Sequence, residues 1–407
     1  MNLSKKIFLA LGVGLFFGSM FNYLDLFQNK VFLDFVEVPG SIFISSLKML
    51  IVPVVFFSIV SGVTGLSNVS TLGRIGTISV LLYLITTCIA ITLALVFSNI
   101  IDPGIKRNIT EVETFIKQET PDLKNVIINI VPSNIFKAFS EANMLQVIFF
   151  AIIFGITLNL ISKKNIKLKE AIFQFNDLFL KMIEVIMYIA PYGVFFLIFK
   201  TFLTQGFETI FELGEYFFTV LLVLIIHLFF TYGGLLLILG KINIFKFFSK
   251  MKNSMLFAFS TSSSAATIPI NLKTVEESLG VKKSVASFTV PLGATINMDG
   301  TAIMQGVATV FLANTYGVDL SLADFMSVIL VATLASIGTA GVPGVGLIML
   351  TMVLNQVGLP AEGIALIIGI DRILDMTRTA VNVTGDATVS CVVAKIEKKI
   401  NLQKLNS

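Results

Sequence analysis

Long apolar runs separated by polar segments restrict the fold of this chain more than any other feature. Eight of these runs approach or exceed the ~18 residues that an α-helix needs to cross a bilayer. They are Ile7 to Leu24, Ile42 to Leu66, Ile75 to Ile100, Leu145 to Ile161, Leu178 to Phe202, Tyr216 to Leu239, Ala286 to Leu312 and Ile364 to Ala394. Their residues do not alternate between apolar and polar, as the strands of a membrane barrel would. We therefore predict an all-α integral membrane protein with eight transmembrane helices.

The composition excludes a soluble enzyme. Only 13% of the 407 residues are charged and 55% are hydrophobic, whereas a soluble domain has about 25% charged residues. No basic tract is interleaved with aromatic residues, which argues against a nucleic-acid partner. Cys88 and Cys391 are too few for a disulfide framework, and His227, inside LIIHLFF, is interpreted as a core histidine. The sequence has no cofactor motif and no nucleophile–base pair, so we expect no enzymatic activity.

Two further apolar regions are interrupted by Ser, Thr, Gly and Pro. They are Met255 to Leu272, which contains the serines Ser262 to Ser264, and Phe325 to Leu359, which contains SIGTAGVPGVG. In lipid, a non-helical backbone is tolerated only where protein buries it or where it lines a cavity. We predict that both regions are re-entrant helical hairpins, and paired interruptions of this kind point to a transporter's binding site.

The charges in the connecting segments predict the orientation. Lysines are concentrated in 163–169, 241–252 and 395–404, whereas 25–37 and 208–215 are mainly acidic. With eight spans and two hairpins that do not cross, this is a positive-inside pattern that places both termini in the cytoplasm. The polar segment 102–140 is then an exposed extracellular loop.

Charged residues inside the last apolar run indicate the function. Asp371, Asp375, Arg378, Asn382 and Asp386 are spaced 4, 3, 4 and 4 residues apart and form one stripe on a helix. Charges in a membrane helix are costly and are functional by default, although a purely structural stripe of salt bridges is the alternative. The neighbouring Arg372 falls at the edge of this stripe, and the spacing leaves two positions open for its side chain, the surface or the site.

The stripe has the groups that an acidic amino acid requires. Asp375 is able to accept an ammonium group, and Arg378 is able to bind a carboxylate in a planar, bidentate pair. Asn382 is able to donate to a second carboxylate. A plain dicarboxylate would leave Asp375 without a partner, so we expect an amino acid with an acidic side chain.

The preceding run contains GATINMDGT, which predicts a broken helix that binds a cation. Asn297, Asp299 and the carbonyl groups near Gly293 and Thr295 are hard oxygen ligands, and Gly300 follows directly. Oxygen ligands at a helix break suit an alkali cation. A glycine kink with a paired aspartate is the alternative, but no basic residue lies near Asp299 in the sequence.

Several motifs together resemble one transporter family. KMLIVPVVFFSIVSG, TSSSAATIP, NMDGT, SIGTAGVPG and DMTRTAVNVTGD follow one another along the chain. In this order they resemble the dicarboxylate/amino acid:cation symporters, which include the excitatory amino acid transporters and archaeal sodium-coupled aspartate transporters. The resemblance covers essentially the whole chain. It implies a homotrimer of the elevator type, in which 1–70 and 141–206 form a scaffold while 71–101 and 207–407 form a mobile transport core.

The resemblance also implies roles for individual residues. The substrate-binding residues would be Ser264, Thr301, Val342, Gly346, Asp375, Arg378, Thr379 and Asn382. One sodium site would be formed by Gly293, Asn297, Asn382 and Asp386. A second would be formed by Thr295, Ser336, Ile337 and Thr339, and a third by Tyr83, Thr86, Thr87, Asn297 and Asp299. Sodium would be the co-transported ion, and no organic cofactor is expected.

Three positions depart from the family pattern. Gln305 stands where the animal glutamate carriers have a glutamate linked to proton and potassium coupling, which argues against potassium counter-transport. Ser262 and Met376 occupy the two positions at which relatives have an additional arginine.

The sequence therefore predicts sodium-coupled uptake of L-aspartate or L-glutamate across the inner or plasma membrane. The main alternative is a proton-coupled carrier of glutamate, aspartate or a C4-dicarboxylate; Tyr83, Thr86, Thr87 and Asp386 favour sodium. An intramembrane aspartyl protease would need GxGD and YD motifs, whereas this chain has only TGD at 384–386 and no YD. An anion channel would have no use for an ammonium site at Asp375.

Overall fold

The computed structural model describes residues 3–26, 29–65, 69–104, 128, 131–141, 143–162, 166–206, 209–336, 341 and 343–406. In this part of the chain the regular structure is helical, and the β-type pairing is limited to an isolated bridge between Val281 and Ile400. The all-α prediction is therefore confirmed for the described residues. Most of the predicted 102–140 loop lies outside them.

The helices of the first half are α1 (Leu3–Tyr23), α2 (Lys30–Gly65), α3 (Val69–Ile101), α4 (Ile135–Ser140), α5 (Met144–Ser162), α6 (Ile166–Met187) and α7 (Ala190–Gln205). The second half begins with α8 (Thr209–Ile226), which continues through a π-helical turn His227–Tyr232, the short segment Gly233–Leu235 and a second π-helical turn Leu236–Gly240. The remaining helices are α9 (Ile244–Thr261), α10 (Ser264–Lys273), α11 (Lys283–Ile296), α12 (Asp299–Thr315), α13 (Leu322–Ser336), α14 (Val345–Gln356), α15 (Ile364–Ile396) and α16 (Leu402–Asn406).

Two described segments are long and apolar enough to cross a membrane by length and composition, namely Arg74–Ile101 and Phe211–Gly240. Other apolar helices are shorter, including Gln146–Ile161 and Ala190–Thr204. The last helix, α15, is long enough but contains the charged stripe. The count of eight spans and the side on which each loop lies therefore stay predictions.

The fifth apolar run is not one helix. The sequence predicts a continuous span from Leu178 to Phe202, but α6 ends at Met187 and α7 begins at Ala190, with a turn between them. Pro191 explains this break, because its ring lacks an N–H and clashes with the carbonyl group four residues earlier, which belongs to Met187.

The predicted breaks near the polar motifs are present. The seventh run divides into α11 and α12, and Asn297 and Met298 between them have non-helical backbone angles. In the first hairpin, α9 packs against α10, and Ser262 has a left-handed φ of +51°. Ser263 caps α10 by accepting a hydrogen bond from the Ala266 N–H. In the second interrupted region, α13 packs against α14, and the connecting residues 337–340 and 342 lie outside the described part.

The helices pack in two groups. One group consists of α1, α2, α5, α6 and α7, and the other surrounds α15 with α3 and α8 to α14. Glycines allow close approach within the first group: a Cβ at Gly18 of α1 would lie 2.6 Å from the Phe199 carbonyl oxygen of α7. Close approach at small residues is the usual way for helices to associate in membranes.

Candidate functional site

Arg378 lies at the centre of the polar stripe on α15 and is held by two carboxylates. Its Nη1 donates to Asp371 Oδ1 at 2.6 Å, and its Nη2 donates to Asp375 Oδ1 at 3.0 Å. The residue is completely buried. The spacing along the helix thus brings the three side chains together as predicted. The bond that Asp371 accepts is the shorter of the two, although Asp371 was not among the predicted binding residues.

Arg372 belongs to the same cluster, so of the two positions that the sequence leaves open the structure places it at the site and not at the surface. Its Nη1 lies 3.6 Å from Asp375 Oδ2, and its side chain is only 13% exposed. Asp375 therefore lies between two guanidinium groups, since one of its oxygens faces Arg378 and the other faces Arg372. The i to i+3 spacing from Arg372 to Asp375 explains the contact, because such residues are neighbours on a helix surface.

A glycine, Gly346, packs closely beside the Arg378 guanidinium. A Cβ added at Gly346 of α14 would lie 3.1 Å from Arg378 Nη2 and 3.3 Å from Thr301 Cγ2 of α12. Two of the predicted substrate residues, Thr301 and Gly346, therefore surround Arg378. The Thr379 hydroxyl bonds to the Asp375 carbonyl of its own helix at 2.7 Å.

Asn382 joins the stripe to the break between α11 and α12. Its Oδ1 accepts a hydrogen bond from the Gly300 N–H at 2.8 Å, and its Nδ2 lies 3.3 Å from Met298 Sδ. Gly300 also packs directly on α15, because a Cβ there would lie 2.6 Å from the Arg378 carbonyl oxygen. The predicted substrate residues and the predicted cation residues thus lie next to each other.

The tips of the two interrupted regions meet beside this break. Ser263 Oγ donates to the Gly341 carbonyl at 2.6 Å, and the Ala265 N–H donates to the same oxygen at 3.2 Å. Ser264, a predicted substrate residue, is buried against this contact, and a Cβ at Gly341 would lie 3.0 Å from the Ala294 carbonyl oxygen. Val342, a further predicted substrate residue, lies outside the described residues.

One group of oxygen ligands surrounds Asn297. Its Nδ2 donates to Asp386 Oδ1 and to the Asn382 carbonyl, each at 3.0 Å. Its Oδ1 is buried and has no hydrogen-bond partner among the described residues. Gly293 packs against the Asp386 carboxylate. A Cβ added at Gly293 would also lie 2.7 Å from the Tyr83 hydroxyl oxygen. Residues from α3, α11, the break and α15 converge here.

A second group surrounds the completely buried Asp299. Thr87 Oγ1 donates to Asp299 Oδ1 at 2.5 Å, while the Tyr232 hydroxyl and His227 Nε2 contact Oδ2 at 2.8 and 3.0 Å. Thr86 Oγ1 donates to the Tyr83 carbonyl within α3, and Thr87 Oγ1 lies 2.9 Å from the same carbonyl oxygen. No basic residue lies near Asp299 in the sequence, but the fold brings His227 to it from 72 residues away.

The second predicted sodium site, formed by Thr295, Ser336, Ile337 and Thr339, is only partly described. Thr295 Oγ1 donates to the Leu292 carbonyl and Ser336 Oγ to the Thr333 carbonyl, each at 2.8 Å within its own helix. Ile337 and Thr339 lie outside the described residues. The structure therefore gives no arrangement for this set.

The two groups around Asn297 and Asp299 offer hard oxygen ligands. Among the described residues, no group of three or more His, Cys, Asp or Glu side chains is arranged to hold a metal ion. The oxygens gathered around Asn297 and Asp299 come instead from amides, hydroxyl groups and two separate carboxylates. Such donors suit an alkali cation better than a transition metal.

Sequence reasoning missed the site contacts of His227 and Tyr232 and gave Asp371 no binding role. A signal existed for His227, since an ionisable residue in a long apolar run is a functional candidate by default. Tyr232 follows it by five residues, a spacing that an α-helix would place on a different face. Asp371 was recognised as part of the stripe, but its spacing alone does not reveal which carboxylate binds Arg378 more closely.

Comparisons with known proteins agree with the motifs. Residues 3–396 match the family model of the sodium:dicarboxylate symporter family. A proton/sodium-glutamate symport protein of Bacillus caldotenax is 34% identical over 99% of this chain and 96% of its own length. The proton/glutamate-aspartate symporter of Escherichia coli is 32% identical over 99% of this chain and 94% of its own length. Excitatory amino acid transporter 3 of Mus musculus is 34% identical over 89% of this chain and 79% of its own length.

Proposed function

The chain belongs to the sodium:dicarboxylate symporter family, a family of symporters and not of enzymes, and we propose that it is a sodium-coupled carrier of L-aspartate or L-glutamate. The observation that carries this proposal is the completely buried Arg378 with Asp375 at 3.0 Å. A guanidinium and a carboxylate side by side match the acidic side chain and the ammonium group of such a substrate.

Substrate binding replaces the ion pair between Asp375 and Arg378 with two ion pairs to the substrate, one at each of these side chains. In the structure Asp375 occupies one edge of the Arg378 guanidinium, while Asp371 holds the other at 2.6 Å. A substrate carboxylate takes the place of the Asp375 carboxylate at Nη2, the nitrogen that also lies next to Gly346. Asp375 is then released to accept the substrate ammonium, and Asp371 keeps Arg378 in place. A dicarboxylate without an ammonium would not compensate Asp375.

The charges around the helix break explain why a cation would accompany the substrate. Asp299 is 0% exposed and Asp386 is 1% exposed, and a buried carboxylate without a cationic partner is costly. The substrate itself adds a net negative charge to the same region. A bound cation compensates these charges and uses Asn297 Oδ1, which has no hydrogen-bond partner in the described part of the chain.

A proton is the rival coupling ion, and two of the relatives have names that include it. A proton needs a single carboxylate as its acceptor. The oxygens of Asn297, Tyr83 and Thr87 and the carboxylates of Asp299 and Asp386 instead offer several ligands at once, which is what a hard cation requires. This multiplicity of oxygens is the reason for proposing sodium.

The division into two helix groups supports an elevator mechanism, and we propose a homotrimer on the resemblance of the motifs alone. The scaffold would be 1–70 and 141–206, and the transport core would be 71–101 and 207–407, with 102–140 as an extracellular loop. The substrate residues and the two described cation groups all come from the second part. The basic segments would lie in the cytoplasm with both termini, in an inner or plasma membrane.

Uptake of radiolabelled L-aspartate into proteoliposomes tests this function. An inward sodium gradient at equal pH on both sides should drive accumulation, and a pH gradient without sodium should not. Accumulation driven by the pH gradient alone would replace sodium with protons. Succinate taken up as well as aspartate would favour a C4-dicarboxylate carrier.

A further inference from the structure

The π-helical turn that follows α8 gives Asp299 two hydrogen-bond donors. Neither donor belongs to the sodium sites that the family resemblance implies. His227 begins this turn and Tyr232 ends it, and both side chains are completely buried. They contact the same oxygen, Asp299 Oδ2, at 3.0 and 2.8 Å. The other oxygen, Oδ1, accepts the hydrogen bond from Thr87. The two sides of the carboxylate therefore have different partners.

The π-helical turn is what makes this double contact possible. In an α-helix, residues five apart point about 140° away from each other. A π-helical turn closes over five residues, so the first and last side chains come round to the same side. The two rings also contact each other edge to face, with centroids 4.6 Å apart. Turns of this kind are rare and often accompany functional sites.

The surroundings show that these donors are directed at Asp299. His227 Nδ1 has no hydrogen-bond partner among the described residues, so the hydrogen bond described for its ring goes to Asp299. A carboxylate oxygen of Asp299 only accepts, which makes Nε2 the donor. The Tyr232 hydroxyl packs against α15 at Gly385. A side chain at that position would collide with the hydroxyl group, so glycine allows the contact.

We propose that His227 and Tyr232 are positioning residues that fix the Asp299 carboxylate and so determine the sodium affinity and cation selectivity of this carrier. With Oδ2 held by two donors, the carboxylate does not rotate, and Oδ1 stays beside Thr87 and the neighbouring oxygens. A ligand cage of fixed size discriminates between cations of different radius. This inference rests on the proposed sodium coupling.

The experiment measures L-aspartate binding to the purified full-length protein as a function of sodium, and again with lithium. Ordering a freed side chain at binding costs enough to lower affinity about threefold to tenfold. His227→Leu and Tyr232→Phe should raise the half-saturating sodium concentration by that factor and narrow the preference for sodium over lithium. Aspartate affinity at saturating sodium should stay unchanged, and His227→Gln, whose amide N–H is able to replace Nε2–H, should restore the wild-type values.

Thr231→Val is the matched control, because Thr231 is buried in the same turn. It should leave sodium affinity and selectivity as in the wild type. Wild-type sodium affinity and selectivity in both His227→Leu and Tyr232→Phe would overturn the inference, as would an equal loss in the Thr231 control. If wild-type aspartate affinity ignores sodium altogether, the proposed sodium coupling itself fails and this inference fails with it.

Discussion

Replacing Asp375 with asparagine should separate amino acids from simple dicarboxylates as ligands. The substitution keeps the shape of the side chain but removes its negative charge. In the structure this carboxylate lies 3.0 Å from Arg378 Nη2 and 3.6 Å from Arg372 Nη1. We expect L-aspartate binding to weaken strongly, because the substrate ammonium loses its counter-charge. Succinate has no ammonium, so its binding should be maintained or improved.

The size of the expected loss in aspartate affinity follows from the burial of the Asp375–Arg378 ion pair. Removing one partner of a buried pair costs about 3–5 kcal/mol, because the other charge is left without compensation. The Asp375 side chain is 12% exposed, compared with 6% for Asp371, so the site is not completely dry. We therefore expect the lower end of this range, about 3 kcal/mol, which weakens aspartate binding about 100-fold.

The assay is calorimetric or radioligand competition binding at one high sodium concentration, with both ligands measured on each variant. Asp371→Asn is the control, since Asp371 contacts the far edge of the same guanidinium at 2.6 Å. It should weaken both ligands to a similar extent, because it acts through the orientation of Arg378. An equal loss for aspartate and succinate in Asp375→Asn would refute the ammonium assignment and make Asp375 structural.

Two further substitutions test the substrate and cation sites. Arg378→Cys should abolish aspartate binding and allow neutral amino acids such as serine to bind; unchanged aspartate affinity in a binding titration would contradict the carboxylate assignment. Gly293→Ala should weaken sodium-dependent binding at least about tenfold, because the new Cβ collides with the Asp386 carboxylate and lies 2.7 Å from the Tyr83 hydroxyl. Gly214→Ala is the control and should behave as the wild type, because a Cβ there would meet no atom of the described residues within 4 Å outside its own helix turn.

Local chemistry allowed the helix breaks to be predicted. Gly300 after Asp299 and the serines around Ser263 interrupt apolar runs, and the structure has breaks at both places. Pro191 carried an equally clear signal for the break between α6 and α7, but the hydrophobic run on both sides led to one predicted span. The periodic spacing of charges also placed Asp375 and Arg378 together, because contacts within one helix depend only on spacing.

Contacts between distant segments were beyond the sequence argument. His227 and Asp299 are separated by 72 residues, and only the packing of α8 against α12 brings them together. The π-helical turn that aligns His227 with Tyr232 has no reliable sequence signature, since its formation depends on tertiary contacts. The pairing of Ser263 with the Gly341 carbonyl likewise depends on how two hairpins meet.

The dependence of aspartate affinity on sodium concentration at constant pH tests the central claim most directly. Ligands that bind cooperatively must raise each other's affinity by the same factor. If several sodium ions bind with each substrate, a log–log plot of the apparent dissociation constant against sodium concentration should fall with a slope steeper than one. Potassium should replace sodium poorly at every concentration. A dissociation constant that ignores sodium and instead follows pH would contradict sodium coupling and establish the proton as the driving ion.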